Sequence, residues 1–418
     1  MARWIHYPAV RIHQASTGDA APMKPLMGIK VLEFSTMVTA SLAAMMLADQ
    51  GAEVIKVEPL DAGDPMRYLG SSKGGVSALF ANCNRGKRSL RLDLKTSQGR
   101  EIIGKLADAT DIVLTNYRPG VMEGLGLGSA DLRARNPRLI FGAVTGFGLE
   151  GPMCDAPAYD PIIQAQSGMA AVQGHGKGKP EFIKTLMCDK ITAYTICQAV
   201  TSALYARERS GMGQHIDLSM MDAGLYFVFP DGFMHQTLLD DDVTHLPPLS
   251  QMLYEVTETA DGSVTISAPT PAQQVGLLTA IERLDLFADE RFNSTEKLVK
   301  NFQTFRAELA ETMRRIPTDD LLARLAANDV PAARLLDYEP VFNHIQYTAN
   351  DSIDVATHPQ LGSIRRVKPP ARFGGDRLPP ASDSPAHGEH TAEVLAELGY
   401  GPDAIASLIE AKAARRMD

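Results

Sequence analysis

The sequence predicts a doubly wound, mostly parallel α/β domain of Rossmann-like type, followed by a smaller α+β domain. Short apolar runs at residues 29–34 and 52–58 flank a helix-forming segment that ends near Gly51, a residue suited to a helix C-terminus. Two strands joined in this way form a parallel pair with a right-handed crossover. The alternation continues to about residue 223. Because 418 residues exceed what one ordinary core holds, we expect two domains.

The later elements of the α/β half follow the same alternation. We predict a helix over 99–109, strands over 111–115 and 137–144, and a helix of small residues over 191–209 before a strand at 215–218. Ligands of doubly wound sheets bind beyond the carboxyl ends of the strands. The residues that directly follow each strand are therefore the candidates for a binding site.

The composition divides the chain into five predicted segments. Pro, Asp and His are frequent after the α/β half, and alternating residues with a turn at Asp261–Gly262 predict a hairpin beyond them. Amphipathic helices follow the hairpin, and the Pro-rich composition then returns. The predicted segments are a leader at 1–26 with Met23 as a plausible start, the large domain at 27–229, a linker at 230–250, the small α+β domain at 251–330, and a C-terminal arm with helices at 331–418.

Charge and cysteine content exclude several classes of protein. A net charge of −9 gives no basis for a nucleic-acid surface. The sequence contains no apolar run of the roughly 20 residues that a membrane span needs, and its first residues lack the apolar core of a signal peptide. Its four cysteines have no C-x-x-C spacing. We therefore expect a cytoplasmic protein with reduced thiols, no metal site, and neither nucleic acid nor membrane as a partner.

The densest cationic segment of the α/β half spans residues 82–95 and includes Arg88 and Lys95. Arg67 lies upstream, and Arg118 follows a predicted strand. Clustered Arg and Lys side chains suit groups with several phosphates. Coenzyme A (CoA) carries a diphosphate and a ribose phosphate, so these cations near strand ends fit it. The alternative interpretation is a solvated charged face.

A nicotinamide dinucleotide is the competing ligand for a βαβ unit, and Glu58 lies where an acid might bind its ribose. The first turn, residues 34–41, reads FSTMVTAS and contains no glycine. The glycines of a G-x-G-x-x-G turn allow the backbone to approach a pyrophosphate, and no phosphate loop of the G-x-x-x-x-G-K-[ST] type occurs either. The sequence therefore disfavours dinucleotide binding.

Several stretches carry a resemblance to one known family. They include GIKVLEFS, ADQGAEVIKVEP, NCNRGKRSLRLDLKTSQGR, DIVLTNYRPGVMEGLGLG, PRLIFGAVTGFGLEGP, GQHIDLSMMDA and GEHTAEVLAELGY. The chain resembles the family III CoA-transferases, which include formyl-CoA transferases, carnitine CoA-transferases and α-methylacyl-CoA racemases. The likeness runs from about Leu26 to the C-terminus in family order.

The resemblance implies an acyl-CoA:carboxylate CoA-transferase that works through enzyme-bound acyl intermediates and holds no tightly bound cofactor. It also implies an interlocked homodimer and a C-terminal arm that returns to the large domain. The substrates would be an acyl-CoA and a free carboxylic acid. Contacts with CoA are expected from strand-end residues, in addition to Arg67 and Arg88: Met37, Val38, Leu92, Lys95, Asn116, Tyr117, Arg118, Thr145, Gly146 and Phe147.

The catalytic residues of the family are only partly matched. The aspartate that transferases use as a nucleophile corresponds to Lys177, and the histidine of the racemases corresponds to Tyr159. A tyrosine with a pKa near 10 is a poor substitute for imidazole. The second racemase carboxylate corresponds to Asp189, which is present. Asp189 is therefore the candidate catalytic residue, although an N-cap role for a helix at 191–209 is equally open.

Three functional hypotheses follow. The first is a CoA-transferase with a displaced or non-standard catalytic carboxylate. The second is a racemase or isomerase that transfers an α-proton at Asp189. The third is a CoA-binding member of the family without turnover. His175 and Lys177 are candidates for binding an acceptor carboxylate, and Glu181 is the nearest other acid of that loop.

Overall fold

The computed structural model describes residues 24–174, 179–245, 249 and 253–417. Most of the predicted leader lies outside these residues, as do His175 and Lys177. Part of the predicted linker at 230–250 is also outside them.

A twisted sheet with six parallel strands and one antiparallel edge strand forms the centre of the described chain. The parallel strands are arranged in the order 3-2-1-4-5-6 of Rossmann folds, counted along the chain. The predicted doubly wound, mostly parallel sheet is therefore confirmed. From edge to edge its strands are Ala414–Arg415, Lys87–Leu92, Glu53–Glu58, Lys30–Phe34, Ile112–Thr115, Ile140–Thr145 and His215–Ser219.

Both faces of the sheet are covered, because successive strand residues point to opposite sides. Val31 belongs to one apolar cluster and its neighbour Leu32 to the other. The helices of the first face are Thr39–Asp49, Asp160–Gln166, Met169–Gln173, Met187–Ser210 and Met220–Gly232. Those of the second face are Ser97–Ala107, Val121–Gly124, Ser129–Arg135, Thr391–Glu397 and Pro402–Glu410.

The strand Lys87–Leu92 was not among the predicted elements, and it changes the interpretation of the cationic segment. Lys87 and Arg91 are buried inside the sheet, together with Leu90 and Leu92. In the sequence, the cations of this strand indicate an exposed segment. In the structure, Lys87 and Arg91 are buried because each has a partner inside the protein. The segment is therefore largely internal, and the interpretation of a solvated charged face is wrong for Lys87 and Arg91.

A second, antiparallel sheet has its own apolar core. Thr257–Glu258 pairs with Ser263–Ile266 around the predicted turn at Asp261–Gly262, so the hairpin is confirmed. The third strand, Ala332–Arg334, lies beyond the predicted boundary at residue 330. The helices that accompany this sheet are Pro271–Ala280, Asp285–Ala288, Thr295–Lys300, Phe302–Met313 and Thr318–Ala327. The single helix predicted near 299–315 is therefore divided at Asn301.

The C-terminal arm contains more regular structure than its proline content indicates. It forms an antiparallel pair, Ile353–His358 with Gly362–Val367, before the chain returns to the large sheet. There Ala414–Arg415 pairs in antiparallel orientation with Lys87–Leu92. The remaining short elements are Pro65–Tyr68, Ser72–Lys73, Val76–Ser77, Ala78–Asn84, Tyr338–Phe342, Ile345–Ala349, Arg372–Phe373 and Asp376–Arg377.

Candidate active site

The strand order reverses between Lys30–Phe34 and Ile112–Thr115. In doubly wound sheets the ligand-binding crevice lies at the carboxyl ends of the strands at such a reversal. The two turns that leave these strands are joined by hydrogen bonds. The Thr36 amide donates to Asn116 Oδ1 at 3.0 Å, and Asn116 Nδ2 donates to the Thr36 carbonyl at 2.6 Å. The structure therefore brings together the turn that contains Met37 and Val38 with Asn116, as a CoA site at this position requires.

The backbone at Met37 is in the left-handed region, with φ of 59°. The turn then enters the helix Thr39–Asp49, whose N-cap residue, Val38, provides no side-chain cap. The first backbone amides of a helix and its dipole favour an anion at its N-terminus. Val38, Thr39 and Ala40 are at most 4% exposed, so a phosphate of CoA at this helix start stays a prediction.

The next two turns of the same sheet edge hold the remaining predicted contacts. Tyr117 is largely enclosed, and burial raises the pKa of its hydroxyl, whereas Arg118 is exposed. Thr145 Oγ1 accepts a hydrogen bond from the Gly148 amide at 3.0 Å. Gly146 packs so closely that a Cβ there would lie 2.3 Å from the Cβ of Ala158. Gly146 therefore lets this turn approach the segment before Asp160, and Phe147 packs beside it on the first core.

Asp189 lies in the first turn of a long helix and does not cap it. The helix begins at Met187 with Leu186 as its N-cap residue, so the predicted start near residue 191 and the predicted N-cap role of Asp189 are wrong. The acid that holds this helix end is Asp160, which starts a helix of its own. Asp160 Oδ2 accepts from the Asp189 amide at 3.1 Å, and its Oδ1 accepts from Gln164 Nε2 at 2.6 Å.

The environment of Asp189 favours its protonated form more than water does. Asp189 is 7% exposed, and its burial raises the pKa of its carboxyl most. The negative charge of Asp160 raises this pKa further, whereas the positive charge of Lys190 lowers it. The resulting pKa is about 7. A carboxyl with this pKa is more basic than an ordinary aspartate, yet it is still about half ionised at neutral pH. Asp189 is thus suited to attack a carbonyl carbon or to exchange a proton.

Packing places the start of the Asp189 helix beside the turns that hold the predicted CoA contacts Met37–Val38 and Thr145–Phe147, here called the CoA turns. Leu186 and Met37 both pack against an apolar cluster that includes Val38 and Phe80. On the other side, Gly146 contacts Ala158, two residues before Asp160. The structure therefore brings Asp189 next to two of the turns at the carboxyl edge of the sheet.

The predicted phosphate contacts of the cationic segment are only partly supported. Arg67 is 2% exposed and forms two hydrogen bonds with the Glu58 carboxylate, at 2.6 and 2.8 Å. Arg88 is paired with acids of the helix Thr391–Glu397, and Leu92 lies in the core. The side chains of Arg67, Leu92 and Val38 are all buried in this chain, so contacts of these residues with CoA stay predictions.

Exposed cations remain at the same edge of the sheet. Lys95 follows the strand Lys87–Leu92, and Arg118 follows Ile112–Thr115. These two side chains are the available phosphate partners among the predicted set. Neither of them has an ion-pair partner among the described residues.

Four buried charges beneath the first turn were missed in the sequence. Glu33 and Lys56 lie in strands, Asp64 precedes a short helix, and Lys87 begins another strand; all four side chains are inaccessible. The signal was a charged residue within an otherwise apolar strand, as in residues 30–34 and 53–58. Such residues are rarely buried unless they are paired.

The described residues contain neither a candidate membrane span nor a candidate metal site. None of the helices in the described part is long and apolar enough to cross a membrane. Within the same residues, no group of three or more His, Cys, Asp or Glu side chains is arranged to hold a metal ion.

Comparison with known proteins identifies the family. The model of the CoA-transferase family III matches residues 26–391. The chain belongs to this family. The CoA-transferase activity predicted from the sequence is therefore confirmed at the level of the family, and the crevice is the corresponding candidate active site.

Relatives and solved structures extend over nearly the whole chain. A probable fatty acyl-CoA transferase of Mycobacterium tuberculosis is 32% identical over 389 residues, which cover 90% of this chain and 98% of the relative. A succinate–glutarate CoA-transferase of Agrobacterium fabrum is 32% identical, with 90% and 96% covered. The crystal structure of a CAIB/BAIF family protein from Brucella suis has a TM-score of 0.79 and 31% identity, with 90% and 99% covered.

Proposed function

We propose that this family III CoA-transferase moves CoA from an acyl-CoA donor to a free carboxylic acid, with Asp189 as the reactive carboxylate. The observation that carries the assignment is the pKa of about 7 of an acid beside the CoA turns. Lys177, which corresponds to the usual nucleophile in the resemblance, lies outside the described residues. Asp189 is thus the described acid that best combines reactivity with position.

The reaction divides into exchanges at carbonyl carbons. An ionised Asp189 oxygen attacks the thioester carbonyl, the CoA thiolate leaves, and a mixed anhydride forms. The thiolate then attacks the Asp189 carbonyl, releases the donor acid and leaves an Asp189–CoA thioester. The acceptor carboxylate attacks this thioester and displaces the CoA thiolate, which leaves a second mixed anhydride between the acceptor and Asp189. The thiolate then attacks the acceptor carbonyl, which releases the new acyl-CoA and free Asp189. Covalent catalysis of this kind replaces one difficult step by several easier ones.

The residues of the crevice provide the binding part of the proposal. The CoA phosphates would lie at the start of the helix Thr39–Asp49, with Lys95 and Arg118 at its sides. The Met37–Val38 and Thr145–Phe147 turns would flank the rest of the molecule. CoA thioesters are then substrates, and no tightly bound cofactor is part of the proposal. Relatives named for succinate and glutarate make short dicarboxylates the first acceptors to test.

We also propose a homodimer, interlocked as the resemblance implies, and a cytoplasmic location. The helix Met220–Gly232 presents Tyr226 and Phe227 to solvent, with exposed fractions of 82% and 57%. Adjacent exposed aromatic residues are typical of a surface that another chain covers. The four cysteines are unpaired, as expected in a reducing compartment.

The acyl-enzyme is the species that tests this function. The purified chain is incubated with succinyl-CoA, treated with hydroxylamine and analysed by mass spectrometry for a hydroxamate on the peptide of Asp189. Asp189→Asn is expected to lose at least about 1,000-fold in turnover with glutarate as acceptor, in line with removal of a nucleophile. Glu181→Gln, which changes the exposed acid of the neighbouring loop, is the matched control and should retain turnover.

The racemase alternative is separated in the same preparation, because a pKa of about 7 also suits proton transfer. Exchange of the thioester α-hydrogen with deuterated water, without an acceptor and without a trapped hydroxamate, would replace the transferase assignment. CoA binding without either reaction would identify a member that lacks turnover.

A further inference from the structure

A buried network of four charges lies directly beneath the first turn of the crevice. Lys56 Nζ is 2.7 Å from Glu33 Oε1 and 3.0 Å from Asp64 Oδ2, and Lys87 Nζ is 2.7 Å from Glu33 Oε2. None of these side chains is accessible to solvent. The network is electrically neutral when all four groups are ionised.

Stability alone is a weak reason for such a cluster. Charges removed from water lose several kcal/mol of hydration, and well-packed apolar residues in the same place are often as stable or more so. What a network of this kind does provide is a fixed arrangement of its hydrogen-bond partners. The informative feature is therefore the set of groups that the network holds.

Three of these groups are backbone groups of the turn that leaves the strand Lys30–Phe34. Lys56 Nζ donates to the Ser35 carbonyl at 3.0 Å, and Lys87 Nζ donates to the Ser41 carbonyl at 2.7 Å. Asp64 Oδ1 accepts from the Met37 amide at 3.1 Å. Both ends and the middle of the turn are therefore attached to buried charges. In addition, Asp64 Oδ1 accepts from the Met66 amide at 2.9 Å, and Lys87 Nζ donates to Asn84 Oδ1 at 2.8 Å.

Met37 shows why the turn needs an external restraint. It is a non-glycine residue with φ of 59°, a left-handed conformation that is unfavourable for a residue with a Cβ. Such a residue remains in that region only when its surroundings determine it. Asp64 supplies this restraint, and the ion pair with Lys56 fixes the orientation of the Asp64 carboxylate.

We infer that Asp64, oriented by Lys56, is a positioning residue that holds the Met37 turn in the shape that binds CoA. The inference rests on the proposed function, in which this turn contacts CoA. Asp64 itself is completely buried and touches no substrate. Its effect reaches the ligand through the backbone of Met37.

Calorimetric titration of CoA into the full-length chain tests this role without requiring turnover. Asp64→Ala should raise the Kd for CoA about tenfold, because the Met37 amide loses its charged partner. Asp64→Asn retains an oxygen acceptor for that amide and should raise the Kd less than about threefold. The wild-type titration also separates the two proposals: absence of CoA binding there would contradict the proposed function itself.

Asp111→Ala is the matched control for general loss of stability. Asp111 forms a partly buried ion pair, 2.8 Å from Arg207, and accepts from the Lys30 amide at the opposite end of the same strands. This variant should lower the melting temperature but leave the Kd for CoA unchanged. An equal rise of Kd in Asp64→Ala and Asp111→Ala would overturn the positioning role.

Met37→Gly completes a double-mutant cycle. Glycine adopts a positive φ without the penalty of a side chain, so the turn no longer needs Asp64 to hold it. In the Met37→Gly background, Asp64→Ala should change the Kd for CoA less than twofold instead of about tenfold. Additive effects would show that Asp64 does not act through Met37.

Discussion

Asp189 combines reactivity with a cost in stability. Its pKa in the folded protein, about 7, is raised above the ordinary value of 3.8 by burial and by the charge of Asp160. The folded state therefore binds more protons at this site than the unfolded state between these two values. Its contribution to stability is fully present below pH 4 and is lost as the pH rises through 7.

Asp189→Asn should therefore be more stable than the wild type at high pH. The asparagine cannot ionise, so the difference in free energy of unfolding should increase from about pH 4 to about pH 7 and reach a few kcal/mol, at about 1.4 kcal/mol per pKa unit. Melting temperatures of both proteins across this range measure it. Parallel curves would mean that Asp189 does not titrate near 7.

At the scale of elements, Asp160 joins the start of one helix to the start of another. Its carboxylate accepts the Asp189 amide, and its charge raises the pKa of Asp189 after the larger effect of burial. Removing the charge while keeping an oxygen acceptor separates these two roles. Asp160→Asn does this, at the cost of the hydrogen bond with Gln164.

Asp160→Asn should move the midpoint of the pH–turnover profile to lower pH, because Asp189 then ionises more readily. Asp160→Ala should show the same movement and also lose about 1–2 kcal/mol of stability, as expected for a lost helix cap. The profile of kcat/KM against pH, with succinyl-CoA as donor, measures the movement. An unchanged midpoint in both variants would remove Asp160 from the control of Asp189.

The elements also explain what the sequence alone was able to predict. Apolar runs such as residues 111–115 identified strands correctly, because their burial is continuous. The strand Lys87–Leu92 was missed since its cations have partners elsewhere in the chain, and sequence distance hides such pairs. In the same way, the side chain that accepts an amide of the first turn of the helix Met187–Ser210 is Asp160, which lies 27 residues before the first residue of the helix. Local capping patterns do not detect an acid at that distance.

At the scale of the whole molecule, the exposed aromatic residues of the helix Met220–Gly232 predict a second chain. Light scattering should give twice the 45.2 kDa of one chain at all measured concentrations, because interlocked chains do not separate on dilution. Tyr226→Ser combined with Phe227→Ser should reduce soluble yield or stability of this dimer. A wild-type protein with the mass of one chain, or a double variant as stable as the wild type, would contradict the prediction.

The return of the chain to its first sheet has a consequence for synthesis. Ala414–Arg415 completes the edge of a sheet whose other strands were all translated by residue 219. Until residues 414–415 leave the ribosome, Lys87–Leu92 is an open edge, and such edges can pair with foreign strands. The nascent chain is therefore expected to be most prone to aggregation before these two residues emerge, when the CoA-binding half is nearly whole but its edge is still uncovered.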